Sequence, residues 1–158
     1  MTVIGESPVN SNPFNLRVIE EFRANRGTVA DFAGIDLLLL TTTGRRSRLP
    51  RTTPLVHLVD GDRLIVFAAN GGAPTEPAWY LNLMAAGEAL VEVGEEHRPV
   101  RPVLVPEEEH EALWARQIAQ DANFAGFRGR TERAIPVVAL VPHTAALRAR
   151  RAGWPVGI

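Results

Sequence analysis

Apolar and polar positions along this chain follow two periods. In PFNLRVIEEFRAN, residues 13–25, Phe14, Val18, Ile19 and Phe22 fall at helical spacing with charges opposite them, which predicts an amphipathic helix ending near Gly27. Such a helix packs on its own domain or, alternatively, meets a membrane surface or partner. The second use would be weak, because the polar face mixes Glu20 and Glu21 with Arg17 and Arg23. The segment IDLLLLTTT, 35–43, is an unbroken apolar run followed by β-branched residues. That pattern predicts a strand buried on both faces, although a short buried helix shares it. In PLVHLVDGDRLIVFAAN, 54–70, two apolar strands flank Asp60 and Gly61, a dipeptide suited to a tight hairpin turn.

Further on, AWYLNLMAAG predicts a short helix stopped by Gly87. ALVEV and RPVRPVLV read as a strand pair around Gly94, and the prolines put the second strand at an edge or a bulge. PEEEHEALWARQIAQD is a helix with glutamates in its first turn, where the helix dipole favours them, and AIPVVALVP is a last strand. Residues 1–12, rich in Ser, Pro, Asn and Gly, form a flexible lead. Residues 13–142 form one domain, and 143–158, with the arginine-rich RARRAGWPVGI, form a loosely ordered tail. Mostly antiparallel strands with a few flanking helices predict an α+β fold, a small closed or half-closed barrel.

Composition narrows the function classes. With 158 residues, 46% of them hydrophobic, one self-sufficient core is expected. Seventeen basic residues against eighteen acidic ones argue against a nucleic-acid partner, which would call for a basic excess. The chain has no cysteine, which removes disulfides, thiolate metal sites and cysteine nucleophiles. His57, His97, His110 and His143 share no i, i+3 or i, i+4 spacing, so no metal site is expected. No signal-peptide pattern or membrane-length apolar run is present, and a soluble cytoplasmic protein is the default.

The candidate chemistry lies in two loops. TTTGRRSRLPRTTPL, 41–55, places four arginines between Gly44 and Arg51 with no acidic residue among them. Gly44 permits a turn, Arg45, Arg46 and Arg51 bring guanidinium forks that match phosphate or carboxylate, and Ser47 and Thr52 add hydroxyls. A solvated basic turn is the plain alternative. The second loop, FAANGGAPTEPAWYLN, pairs glycines, which let a backbone approach a ligand closely, with the flat rings of Trp79 and Tyr80. Together they suit a small molecule with an anionic tail and a planar ring.

The ordered segments VIEEFRAN, LLLLTTTGRRSRLPRTTPL, DGDRLIVFAANGGAPTEPAWYLNL and TERAIPVVALV resemble the deazaflavin-dependent nitroreductase family of actinobacteria, over about residues 14–142. The resemblance implies a split β-barrel of the FMN-binding type. It also implies coenzyme F420, a deazaflavin with an anionic phosphate and oligoglutamate tail, as cofactor. The reaction implied is hydride transfer from the reduced coenzyme to a quinone, an enone or a nitroaromatic.

On that resemblance Arg45, Arg46, Ser47, Arg51, Thr52, Thr53, Pro54, Leu55 and Val56 line the phosphate side and groove. Phe67, Ala68, Ala69 and Asn70, with Ala78, Trp79, Tyr80, Leu81 and Asn82, line the ring, and Phe124 closes over it. The chain departs from the family at Ala69 and Asn70, where Ser-Lys is common, and at Phe124 and Phe127, where tyrosines are common. No catalytic acid or base is assigned; Tyr80 or water would deliver a proton if one is needed. An FMN-dependent enzyme of the same barrel and a non-enzymatic deazaflavin carrier stand as alternatives, and a homodimer could form through the apolar strands and the N-terminal helix.

Overall fold

The computed structural model describes residues 12–144. The lead through residue 11 and the arginine-rich tail from residue 145 lie outside the described residues. Helix α1 (Pro13–Ala24) opens the fold, capped by the Asn12 side chain, which accepts from the Phe14 and Asn15 backbone N–H groups. Seven strands follow: β1 (Leu37–Thr43), β2 (Pro50–Val56), β3 (Leu58–Asp60), β4 (Arg63–Phe67), β5 (Ala89–Val93), β6 (Glu96–Leu104) and β7 (Val137–Pro142). Helix α2 (Ala78–Ala86) joins β4 to β5, while α3 (His110–Gln120) and α4 (Asn123–Gly129) join β6 to β7.

All strand pairs are antiparallel, in the order β2-β1-β5-β6-β7-β4-β3. The two edge strands, β2 and β3, are separated in sequence by His57 alone, so the sheet must curl until its edges nearly meet. This is the half-barrel the sequence predicts, with one refinement. The expected single strand before the Asp60 turn is two strands, because residues up to Val56 pair with β1 and residues from Leu58 pair with β4. In the hairpin itself Asp60 pairs with Arg63, and Gly61 takes the positive φ of 64°.

Strands with two buried faces build three apolar clusters. Leu38, Leu40, Leu64, Val66, Val91, Val138 and Leu140 fill the concave interior together with Leu83 of α2. On the outside, Leu37 and Leu39 meet Val18, Ile19 and Phe22 of α1. Ile65, Phe67 and Val137 meet Trp114 of α3 and Phe124 of α4. The apolar face of α1 is thus consumed by its own domain, and Arg23 adds a two-pronged ion pair to the buried Glu92 of β5.

Strand β6 corrects the expectation from its prolines. It lies inside the strand order, yet its first half pairs only with β5 and its second only with β7, with Val100 alone paired to both. Pro99 and Pro102 therefore each sit where one flank has no ladder partner, which is how a central strand tolerates them. Helix α4 has no counterpart in the sequence reading.

At the seam between β2 and β3, His57 is 1% exposed. Its backbone N–H donates to Asp36 O (2.9 Å) and its C=O accepts from Gln120 Nε2 (3.0 Å), but Nδ1 has no partner among the described residues. Burial, the largest influence, lowers its pKa from 6.5 to about 4. The folded state thus binds a proton less readily than the unfolded state. Stability contributed by neutral His57 is intact above pH 6.5 and is lost as pH falls toward 4, by about 3 kcal/mol across that window. Urea midpoints at pH 7 and pH 5 are expected to differ less in a His57→Asn variant than in the wild type; an equal difference would remove His57 as the cause.

Candidate functional site

The six residues from Gly44 to Leu49 cross from β1 to β2 and fold back on themselves. Gly44 N–H donates to Leu49 O (2.8 Å) and Arg48 N–H to Gly44 O (2.8 Å), while Ser47 Oγ accepts from Leu49 N–H (3.2 Å). Glycine at 44 allows close approach: a Cβ there would stand 2.5 Å from Ser47 Oγ, which would have to rotate away, and 3.3 Å from Leu49 O. This compact turn leaves the Arg45 and Arg46 side chains projecting, with Arg51 behind them on β2.

Opposite the turn stands α2. Asn82, 6% exposed, accepts at Oδ1 from both the Arg45 backbone N–H (3.1 Å) and the Arg45 guanidinium (2.9 Å). A buried side chain on a rigid helix thereby fixes one arginine of the loop. Arg46 makes no hydrogen bond or ion pair among the described residues. Between loop and helix lies a cavity of about 300 Å³ lined by Gly44, Arg45, Arg46, Ser47, Arg51, Thr52, Thr53, Ala78, Trp79 and Asn82. Among the described residues, three arginines and no carboxylate line it. The first turn of α2 enters it with no side-chain cap on its N-terminus, adding the positive end of a helix dipole.

Of the residues expected at the site, nine line this cavity: Arg45, Arg46, Ser47, Arg51, Thr52, Thr53, Ala78, Trp79 and Asn82. Thr52 is 3% exposed, and its hydroxyl shares a hydrogen bond with Thr41 Oγ1 (2.8 Å). Leu55 and Tyr80 pack beside the inner core, and Val56 packs against the outer ones. Pro54 is half-buried on β2 and Leu81 is exposed on α2. Ala68 and Ala69 are buried just after β4, and Asn70 follows as an exposed residue with φ 50°. Phe124 is a core residue: its ring lies 6.1 Å from Phe67 and 5.0 Å from Phe127, outside the cavity lining.

Tyr80 makes an edge contact with Trp79 at 6.2 Å. Burial, helped by the Glu76 carboxylate, raises its phenol above the ordinary range, so it keeps its proton at neutral pH. Arg133, which the sequence reading passed over, grips the loop between β4 and α2. Its partners lie 57 to 65 residues away, so no local pattern could have revealed it.

The sequence model of the F420H(2)-dependent quinone reductase family matches residues 16–142. This chain belongs to that family. A Mycobacterium tuberculosis protein named F420H(2)-dependent quinone reductase is 39% identical over 106 residues, 65% of this chain and 71% of the relative. Among solved structures, one titled F420-H2 dependent reductase (FDR-A) superposes with a TM-score of 0.60 at 29% identity, covering 66% of this chain and 93% of that one. Another, titled a domain-swapped dimer, gives 0.61 at 28% identity, covering 79% and 96%. The residues that match the quinone reductase family span both loops and all seven strands. Among the described residues of this family member, no group of three or more side chains could hold a metal ion, and no helix is long and apolar enough to cross a membrane.

Proposed function

We propose that this chain is a deazaflavin-dependent reductase that passes a hydride from reduced coenzyme F420 to an electron-poor acceptor, a quinone first among them. The observation that carries this reading is the cavity that, among the described residues, is lined by three arginines and no carboxylate, with Trp79 and the uncapped start of α2 on one side. Arg45, Arg46 and Arg51 match the phosphate and carboxylates of an anionic tail, and Arg46 has no hydrogen-bond partner among the described residues. Gly44 lets the turn pack tightly enough to present them. Trp79 and Ala78 give flat apolar area for a ring, beside Thr52 and Thr53.

When bound, the reduced coenzyme supplies the hydride, so the chain needs no covalent nucleophile. Its own residues bind, orient and exclude water. Tyr80 holds a phenolic proton next to Trp79 but stands outside the cavity lining. Phe124 packs against Phe67 in the core, outside the cavity lining.

The solved domain-swapped dimer supports a second copy of this chain as partner. A membrane surface would find little on α1, where Val18, Ile19 and Phe22 are buried and Phe14 is the exposed aromatic. Fluorescence titration with the deazaflavin coenzyme, beside an identical titration with FMN, tests the cofactor. Saturable deazaflavin binding with FMN washed away on gel filtration is expected. A yellow protein that keeps FMN would overturn the assignment.

A further inference from the structure

Between β4 and α2 the chain bends through three consecutive left-handed residues: Asn70 (φ 50°), Gly71 (φ 64°) and Gly72 (φ 86°). The two glycines adopt this region freely, and Asn70 tolerates it, its Nδ2 donating to Thr75 O (2.9 Å) within the same bend. One distant side chain grips the bend on both sides. Arg133, just before β7, donates from Nη2 to Ala68 O (3.1 Å) and Ala69 O (2.9 Å), and from Nε to Ala73 O (3.0 Å). Its Nη1 meets the Glu76 carboxylate at 2.6 Å. The side chain is 16% exposed. A guanidinium so placed is tolerated because its fork is nearly filled with partners, which no ammonium could match.

The clamp ends two residues before α2, and the cavity depends on that helix. Ala78, Trp79 and Asn82 line the cavity from α2, and Asn82 in turn holds Arg45. Arg133 itself does not line the cavity. We propose that Arg133 is a positioning residue of the coenzyme site: through the three carbonyls and Glu76 it sets where the start of α2 stands relative to the arginine loop. The inference rests on the reading of that cavity as the coenzyme site.

The test uses the full chain with Arg133→Lys, which keeps the charge and loses the fork, and Glu76→Gln, which loosens only the α2 end. Hydrogen exchange of the amides of residues 69–78 in coenzyme-free protein reads the clamp. Fluorescence titration with the deazaflavin coenzyme reads its consequence. In Arg133→Lys, exchange across this segment is expected to quicken about tenfold while β1 and β7 are unchanged. The coenzyme dissociation constant should rise about tenfold, as for one lost charge-assisted hydrogen bond. Glu76→Gln should show the same pattern, more weakly. Exchange and affinity both within about twofold of wild type would overturn the proposal, and so would faster exchange with unchanged affinity. Wild-type protein that takes up no coenzyme would instead overturn the reading of the cavity, while the exchange data still decide whether Arg133 holds the bend.

Discussion

Replacing Arg45 and Arg46 together by alanine is expected to weaken binding of the deazaflavin coenzyme by at least about a hundredfold, at roughly 1.5–3 kcal/mol for each charge-assisted contact. The two positions are not equivalent. Arg45 is held by Asn82, so its removal also disturbs the α2 side of the cavity. Arg46 has no partner among the described residues, so Arg46→Ala alone subtracts ligand contacts and little else. Salt separates an electrostatic loss from a packing loss. Wild-type affinity should fall as salt is raised and that of the double variant should fall less steeply, because the screened attraction has gone. Titration at two salt concentrations checks both effects, and an unchanged affinity would put the anionic tail elsewhere.

The second large effect is on stability. A Cβ at Gly72 would stand 2.7 Å from Phe127 O and 2.8 Å from Arg130 Cβ, at a φ of 86°. Gly72→Ala therefore combines backbone strain with overpacking against α4 and is expected to cost about 2–4 kcal/mol. Gly71 provides the control. It has a φ of 64° but nothing within 4 Å of a Cβ, so Gly71→Ala should cost only about 1 kcal/mol. Urea unfolding of the two variants measures the difference, and equal losses would mean that α4 does not press on the loop.

These glycines show how far the sequence could be read. The pair suggested a place where the backbone approaches a ligand, but the close neighbour of Gly72 is α4 of the same chain. Helix α1, the apolar β1 and the β3–β4 turn were legible because periodicity and turn chemistry are local. The division of one apparent strand at His57 was not. It depends on which strands pair with each side, and the residues themselves continue an extended run. Pro99 and Pro102 pointed to an edge, and the half-paired flanks of β6 explain why that was true of each proline's surroundings and untrue of the strand order. At the site, the arginine loop and Trp79 stood out by composition. The Asn82–Arg45 bonds and the Arg133 clamp join residues 37 or more positions apart, and only the fold brings them together.

The most direct measurement is an anaerobic reaction of purified protein with reduced coenzyme F420 and a panel of quinones, enones and nitroaromatics, followed by the absorbance of the coenzyme. Oxidation with a quinone is expected, at a rate proportional to protein and sharply reduced in the Arg45/Arg46 double variant. Tight binding of the coenzyme with no acceptor oxidising it would contradict the reductase assignment and leave a coenzyme carrier in its place.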